Sequence, residues 1–278
     1  MDNLGFKNIS AEALRSYIDQ HEEKDYLLVD VRQPVEYAQS HIPGAKLVPL
    51  MNLESALPDL PSGQDIIFYC RSGNRSQAAA VIAAGSGTSL QKIFNLSGGI
   101  MAWDGKTLSD FPRVQTFTDS ESPADMLLQS MDLEKGALRF YLDVLKTFAD
   151  QPFVKIIKPL VRAEEAHARS IYRFWRSITE NPPTFEELFA SLTGDILEGG
   201  GNLHDAISKV KAIEENLCLK LFETALEIEF RAYDLYRTMA NRSPDDDARH
   251  VFLSIAQIEK DHMQLLAETI AECPELKE

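Results

Sequence analysis

The spacing of hydrophobic and polar positions changes along the chain and divides the sequence into two parts. In the first 112 residues, short apolar runs alternate with helical segments; the runs are 26–31, 46–50, 66–69 and 92–96. Apolar runs of this length predict buried strands of a mostly parallel sheet with helices on both faces. We therefore predict an α/β domain over residues 1–112.

After residue 122, apolar positions recur at helical spacing. Four long amphipathic patterns predict helices at about 124–149, 153–179, 216–240 and 244–271. The first two and the last two are joined by short connections, and a long connection joins the two pairs. This arrangement predicts a four-helix bundle of ferritin-like topology. The expected organisation is therefore multidomain, α/β plus all-α, with a linker at 113–122 and a helical domain at 123–278.

Charge and hydropathy narrow the classes of partner and the compartment. The net charge is -15 over 278 residues, and most of the acidic excess follows Pro112. Such a charge disfavours nucleic acid and anionic membrane surfaces as partners. No apolar run reaches membrane-spanning length, and the first residues lack the pattern of a signal peptide. We therefore expect a cytoplasmic protein.

The three cysteines are too few and too scattered to predict a disulfide framework. No C-x-x-C pair exists, so this chain cannot build a zinc ribbon or a rubredoxin-type iron site. We expect Cys218 in a helical core and Cys273 exposed near the end of the chain, as a candidate resolving thiol. The glycine-rich stretches 85–87 and 199–201 lack the context of a nucleotide loop, and we expect turns there and no nucleotide or flavin cofactor.

Cys70 ends an apolar run and precedes a short glycine-containing loop and an Ala-rich helical pattern that starts near Gln77. The thiol therefore lies between a strand and a helix N-terminus, where backbone N–H groups converge and the helix dipole is positive. Arg71 and Arg75 add positive charge, which favours the thiolate over the thiol. We interpret Cys70 as a nucleophile rather than as an inert core cysteine.

Several motifs, in this order, resemble those of rhodaneses, a family of sulfurtransferases: Asp30-Val31-Arg32, Glu36-Tyr37, 41–45, 70–76 and 95–103. The resemblance implies that Cys70 takes sulfane sulfur from a donor anion such as thiosulfate, becomes a persulfide and passes the sulfur to a thiol or another thiophilic acceptor. It also implies that the loop binds the donor and the persulfide, through Arg71, Ser72, Gly73, Asn74 and Arg75. We expect Asp30 and Arg32 to form a buried or half-buried pair that shapes the site.

The helical half contains an internal repeat. The pattern Glu-x-x-Ala-x-x-x-Tyr at 134–141 recurs 95 residues later at 229–236, and Glu-x-x-His at 164–167 recurs at 259–262. Residues three apart lie on one helix face, so four such faces can enclose two metal ions. Four carboxylates and two imidazoles suit a pair of iron or manganese ions. Taken singly these residues are typical of a solvated surface, but both Glu-x-x-His pairs lie beside apolar stripes, which favours the metal.

The same residues resemble the rubrerythrin branch of the ferritin-like family. The resemblance implies a pair of iron ions and six ligands: Glu134, Glu164, His167, Glu229, Glu259 and His262. It also implies peroxide, oxygen or iron redox chemistry and a homodimer, with an external protein as electron donor because the rubredoxin cysteines are missing. Ala232 stands where these proteins commonly carry a further glutamate, and we expect Glu165 and Glu227 to point away from the ligand face.

Together these patterns predict a sulfurtransferase fused to a dinuclear metal bundle with redox activity. The alternative is a sulfurtransferase whose helical domain binds metal or senses redox state without catalysis. A metal-free, purely structural bundle is the third interpretation.

Overall fold

The computed structural model describes residues 5–112, 122–243 and 245–276. The chain divides into two compact units, Met1–Phe111 and Pro112–Glu278. The expected linker, 113–122, lies outside the described residues except for Ser122. Within the described ranges, no helix is both long enough and apolar enough to cross a membrane.

The first unit contains one five-stranded sheet in which every strand pairs in parallel with its neighbours, as predicted. The strands are β1 Lys7–Ile9, β2 Tyr26–Asp30, β3 Lys46–Leu47, β4 Asp65–Tyr69 and β5 Ile93–Leu96. Their order across the sheet is β1-β5-β4-β2-β3, which puts β4 at the centre. Four helices accompany the strands: α1 Ala11–Gln20, α2 Pro34–Gln39, α3 Leu53–Ala56 and α4 Asn74–Gly85.

Helices cover both faces of this sheet because alternate strand residues point to opposite sides. Val29 and Phe68 belong to an apolar cluster that includes residues of α3 and α4. Leu28 and Ile67 belong to a second cluster that includes residues of α1 and α2. With both faces buried, β2 and β4 have no exposed position, which is why they read as continuous apolar runs.

The second unit is largely helical. It has four long helices and, between the second and third of them, two short ones: α5 Pro123–Thr147, α6 Val154–Ser177, α7 Phe185–Ser191, α8 Leu203–Lys211, α9 Leu217–Arg242 and α10 Asp246–Glu272. Each long helix lies within a few residues of the sequence prediction. Ser122 and Asp125 form a capping box that starts α5, and Asp245 caps α10. Pro244, where the last helix was expected to begin, lies outside the described residues.

Two apolar clusters fill this unit, and each draws buried side chains from all four long helices. The first cluster takes the N-terminal half of α5 and α10 and the C-terminal half of α6 and α9, and the second takes the opposite halves. Neighbouring helices α5 and α6 are therefore antiparallel, and so are α9 and α10. On every long helix, the glutamates and histidines singled out by the repeat fall at the boundary between the two clusters.

A disulfide joins Cys218 and Cys273, and Cys273 is buried, so the expectation of an exposed Cys273 thiol is wrong. The two cysteines are 55 residues apart in sequence but adjacent in space, because the antiparallel pair of α9 and α10 returns the chain to the start of α9. The backbone N–H of Cys218 also donates to the carboxylate of Glu275.

Candidate active site and candidate metal centre

Cys70 directly follows the central strand β4 and is 1% exposed. The backbone N–H of Gly73 donates to its Sγ at 3.1 Å, and the Ser76 hydroxyl lies 3.5 Å from the same atom. The Ser76 hydroxyl also lies 3.1 Å from the Gly73 carbonyl oxygen. The thiol therefore sits inside the turn that begins α4, as the strand–loop–helix pattern predicted.

Burial and hydrogen bonding act on the Cys70 thiol in opposite directions. Burial alone raises the pKa of Cys70, but the Ser76 hydroxyl and the backbone N–H groups of Ser76, Ser72 and Gly73 outweigh it, so the net pKa is lowered. Hydrogen-bond donors aimed at a sulfur stabilise its negative charge. Ser76 belongs to the 70–76 motif, but its hydrogen bond to the thiol was not predicted from the sequence.

The loop that carries Cys70 packs against the segment after β5. The N–H of Ile100 donates to the Cys70 carbonyl at 2.8 Å, and the N–H of Met101 donates to the Arg71 carbonyl at 3.1 Å. A Cβ on Gly99 would lie 2.3 Å from the Cys70 carbonyl oxygen, and Gly99 has a positive φ of 59°. Only glycine allows this approach, so Gly99 lets the segment after β5 pack directly on the backbone of the Cys70 loop.

The two arginines of the loop have different surroundings. Arg75 forms a bidentate ion pair with Glu36 of α2, with N–O distances of 2.7 and 2.8 Å. The hydrogen bond from Arg75 lowers the pKa of Glu36 to about 2. The side chain of Arg71 is exposed, as are those of Ser72 and Asn74. Of the five loop residues expected to bind the donor, Arg75 is thus also a structural tie between the loop and α2.

Asp30 and Arg32 form the buried pair expected at the end of β2. The Arg32 guanidinium donates to both Asp30 oxygens at 2.6–2.9 Å, and the Arg32 side chain is held further by the Ser40 carbonyl at 2.6 Å. Both side chains are buried. This confirms their structural role.

In the helical unit, the six residues singled out by the repeat come together at the boundary of the two apolar clusters. Two groups of potential ligand atoms each lie within 4.8 Å of one another: Glu134, Glu164, His167 and Glu259 in the first, and Glu164, Glu229 and His262 in the second. Glu164 belongs to both groups. Such a shared carboxylate is the arrangement that bridges two neighbouring cations.

Glu259 lies between the two imidazoles. His167 Nδ1 is 3.1 Å from Glu259 Oε1 and 3.1 Å from Glu134 Oε2. His262 Nδ1 is 3.3 Å from Glu259 Oε2 and 3.5 Å from Glu229 Oε2. The two rings stack with centroids 5.4 Å apart. The repeat therefore produces two similar half-sites that face each other.

The tyrosines of the repeat connect these half-sites crosswise. The hydroxyl of Tyr141 donates to Glu229, and the hydroxyl of Tyr236 donates to Glu134. Each tyrosine therefore binds the glutamate of the other repeat. Burial and the neighbouring carboxylates raise the pKa of both tyrosines well above its usual range, so they remain donors. The repeat marks both tyrosines in the sequence, but it does not indicate which residues they bind.

Many of the candidate ligand atoms at this boundary make no hydrogen bond, although some lie within 3.5 Å of an imidazole nitrogen. Within the described residues, buried atoms without a hydrogen bond include both oxygens of Glu164, both oxygens of Glu259, Glu229 Oε2, His167 Nε2 and His262 Nδ1. Burial and the charges of Glu229 and Glu259 raise the pKa of Glu164. Two imidazoles are too few to satisfy four buried carboxylates, and burying a carboxylate without a full set of partners is costly.

Glu165 and Glu227, which were expected to point away from the ligand face, lie outside this cluster. Glu165 is exposed and pairs with Arg169, and Glu227 pairs with Arg231. Glu198 was not predicted from the sequence. It is 2% exposed although it belongs to the irregular segment between α7 and α8. No periodicity marks it, because it lies on no helix.

Comparisons with known proteins bear on the first unit. A family model described as "Rhodanese-like domain" matches residues 10–106. The chain is 38% identical to a sulfurtransferase of Allochromatium vinosum over 34% of this chain and 85% of that protein. It is 35% identical to a putative sulfurtransferase, YtwF, of Bacillus subtilis over 37% of this chain and 96% of that protein. A solved rhodanese-like domain protein of Staphylococcus aureus aligns with 26% identity and a TM-score of 0.33, over 38% of this chain and 99% of that one. The predicted rhodanese family is therefore confirmed for the first unit. The chain belongs to the rhodanese-like family through the domain that residues 10–106 match.

Proposed function

We propose that the first unit is a sulfurtransferase in which Cys70 carries the sulfur. The observation that supports this most directly is the buried Cys70 thiol with hydrogen bonds from Gly73 N–H and from the Ser76 hydroxyl. These donors lower the pKa of the thiol and stabilise the thiolate that has to attack. The sulfurtransferase names of the relatives agree with this chemistry.

The reaction has two displacement steps on sulfur. The Cys70 thiolate attacks the outer sulfur of a donor anion such as thiosulfate; a new S–S bond forms, the old S–S bond breaks, and sulfite leaves with the electron pair. An acceptor thiolate, or cyanide in an assay, then attacks the outer sulfur of the Cys70 persulfide, and the Cys70 thiolate leaves. Arg71, which is exposed in the loop, supplies positive charge that attracts the entering anion.

The test is persulfide formation at a single position. Cys218 and Cys273 are joined to each other, so Cys70 is the free thiol of the chain. After incubation with thiosulfate, we expect the intact mass to rise by one sulfur atom in the wild type and in a Ser55→Ala control, but not in Cys70→Ser. Sulfur transfer to cyanide that survives in Cys70→Ser would overturn the proposal.

We further propose that the helical unit is a ferritin-like bundle that holds two metal ions. The supporting observation is the excess of buried carboxylate at the cluster boundary: Glu134, Glu164, Glu229 and Glu259 are at most 1% exposed, and two imidazoles are their only ion-pair partners among the described residues. Two divalent cations would balance four carboxylates, and mixed oxygen and imidazole donors suit iron or manganese.

In this proposal the ligands are those of the two groups, with Glu164 common to both. The metal pair would supply one-electron redox chemistry toward peroxide, oxygen or a further ferrous ion. The contribution of the chain is to hold the carboxylates in place: the Tyr141 hydroxyl donates to Glu229, and the Tyr236 hydroxyl donates to Glu134.

Elemental analysis of the purified full chain tests this. We expect close to two iron or manganese ions per chain in the wild type and in a Glu165→Ala control, and a large loss in a variant with Glu164→Ala and Glu259→Ala. Glu165 is adjacent to Glu164 but exposed, so the control changes the same charge outside the cluster. A wild-type protein that takes up no metal after anaerobic reconstitution with ferrous iron would overturn the metal proposal and leave the sulfurtransferase intact.

Catalysis and sensing are separated by adding peroxide to the reduced, metal-loaded protein. Repeated turnover with an added electron donor supports a redox enzyme that depends on an external donor protein. A single oxidation without turnover supports a redox-sensing domain attached to the sulfurtransferase.

A further inference from the structure

Glu198 lies outside the repeat, yet it is buried to the same extent as the proposed ligands. It is 2% exposed, and its Oε1 has no hydrogen-bond partner among the described residues. Glutamates are rarely buried without a partner because removing the charge from water is costly. At this position either a proton or a nearby cation therefore has to neutralise the carboxylate.

The segment that carries Glu198 is held tightly against α5. The Lys135 Nζ donates to the carbonyls of Phe189 and Leu192, each at 2.6 Å. The N–H of Gly194 donates to Asp132 at 2.8 Å. These contacts come from residues one turn or less from Glu134, so α5 fixes both a proposed ligand and the start of the Glu198 segment.

A glycine in α5 allows this close approach. A Cβ on Gly136 would lie 2.2 Å from the carbonyl oxygen of Ile196, two residues before Glu198. Glycine in the interior of a helix is less favourable than alanine, and here the space it leaves is filled by the crossing backbone. Beyond Glu198, the chain closes a turn in which the N–H of Leu197 donates to the Gly201 carbonyl at 2.8 Å.

The charges around Glu198 are those of the proposed metal centre. Burial raises its pKa most, followed by the negative charges of four carboxylates: Glu134, Glu164, Glu259 and Glu229. The Ile196 carbonyl packs against Gly136, two residues from Glu134, and this contact brings the Glu198 segment close to the part of α5 that carries Glu134. Glu198 belongs to neither group of ligand atoms within 4.8 Å. It therefore acts from just outside the proposed ligands.

We propose that Glu198 is an outer carboxylate of the metal centre, delivered by the crossover segment, whose negative charge strengthens binding of the cation beside Glu134. This inference rests on the proposed dinuclear metal function. It adds a fifth carboxylate to the four on the helices, and it gives the crossover segment a role in metal binding. Outer residues of this kind typically change metal affinity about 10- to 100-fold when they are replaced.

The experiment measures Mn²⁺ affinity and stoichiometry on the metal-stripped full chain, by competition with a chelator. Glu198→Gln removes the charge with little change in volume, Glu198→Asp keeps the charge, and Glu180→Gln is a control at an exposed glutamate. We expect about 10- to 100-fold weaker binding of at least one Mn²⁺ in Glu198→Gln. Glu198→Asp should restore most of the lost affinity, and Glu180→Gln should match the wild type.

A second pair of variants tests the same inference through the backbone. Gly136→Ala pushes on the Ile196 carbonyl and moves Glu198 without changing charge, so it should also weaken Mn²⁺ binding. Gly201→Ala is its control, because a Cβ there meets nothing within 4 Å. Circular dichroism of each metal-free variant verifies that it is folded.

The outcomes separate this inference from the metal proposal. Two Mn²⁺ ions bound by Glu198→Gln with wild-type affinity would overturn the role of Glu198 and leave the metal centre standing. Equal losses in Glu198→Gln and Glu198→Asp would overturn the charge argument, because a shorter side chain keeps the charge. A wild-type chain that binds no Mn²⁺ and no Fe²⁺ would overturn both proposals.

Discussion

Both units bury negative charge, but they stabilise it in different ways. At the Cys70 site, the buried group is a single thiol, and hydrogen bonds from backbone N–H groups of one loop and from one hydroxyl lower its pKa. In the second unit, several carboxylates are buried at one boundary, and only two imidazoles pair with them within the described residues. Hydrogen bonds from amide groups stabilise a thiolate without a cofactor. Clustered carboxylates repel one another unless cations or protons neutralise their charge.

The two sites also differ in how the chain assembles them. The Cys70 site is local, because its donors lie within six residues of the cysteine. The helical centre takes one or two residues from each of four helices and joins them crosswise through Tyr141 and Tyr236. Disturbing the first site should therefore alter chemistry with little effect on folding, and disturbing the second should alter stability.

Removing metal should produce the largest effect and should be confined to the helical unit. A ligand present at about 1,000 times its dissociation constant stabilises the native state by about 4 kcal/mol. In calorimetry of the full chain, chelation should lower the unfolding temperature of the helical unit while the transition of the rhodanese-like unit stays in place. If chelation moves neither transition, the buried carboxylates are stabilised by protonation instead, and the comparison fails.

Gly99→Ala should displace the backbone of the Cys70 loop and so reduce sulfur transfer. The added Cβ meets the Cys70 carbonyl oxygen, and the positive φ is strained for alanine. A displacement of about 1 Å at the nucleophile can cost about 100-fold in rate, and we expect a loss of that size in kcat/KM for thiosulfate. Gly63→Ala is the control, since a Cβ there meets nothing within 4 Å.

A Gly99→Ala protein that transfers sulfur within a factor of about two of wild type would show that the loop tolerates this displacement. The contact between the Cys70 loop and the segment after β5 would then be structural only. Because the loop would remain anchored by the hydrogen bonds of Ile100 and Met101, the loss is expected with retained folding.

Sequence patterns predicted the local site better than the assembled one. Cys70 lies at the end of an apolar run and before an Ala-rich helix, so its strand–loop–helix setting followed from neighbouring residues alone. The six residues of the helical cluster were found because the repeat marks them at helical spacing, and the structure brings them together. Glu198 has neither advantage: it lies on an irregular segment and has no counterpart in the repeat.

Contacts between residues far apart in the sequence were also not predicted. The Cys218–Cys273 disulfide depends on the antiparallel return of α10 along α9, and no spacing in the sequence encodes it. The same holds for Arg75, whose bidentate partner Glu36 lies 39 residues earlier. Such contacts follow from tertiary packing rather than from local propensity.

The crosswise tyrosines allow a test of the internal symmetry. Tyr141→Phe and Tyr236→Phe each remove a hydrogen bond to a buried carboxylate, a loss of about 1.5–3 kcal/mol in the free energy of unfolding. Because the two contacts occupy equivalent positions in the repeat, the two losses should be similar. Denaturant unfolding of the metal-loaded protein measures both.

Tyr172→Phe is the control for these variants. Its hydroxyl donates to the neutral Pro183 carbonyl at a half-buried position, so the loss should be about 1 kcal/mol. If Tyr141→Phe and Tyr236→Phe cost no more than Tyr172→Phe, the carboxylates they bind are not charged, and the contrast between the two units is weaker than the structure indicates.

Ser76→Ala should have the smallest effect, and it sharpens the account of the thiolate. The Ser76 hydroxyl is one of several hydrogen-bond donors that lower the pKa of Cys70 against the effect of burial.

The pKa of Cys70 in the folded protein is lowered, so the reactive thiolate persists as pH falls until that lowered pKa is reached. Removing a hydrogen bond worth about 1 kcal/mol should raise the pKa of Cys70 and move the acid limb of the pH–rate profile to higher pH. Ser55→Ala, at an exposed serine of α3, should leave the profile unchanged. A Ser76→Ala profile that coincides with the wild type would assign the stabilisation to the backbone N–H groups alone, because they are the donors that the substitution leaves in place.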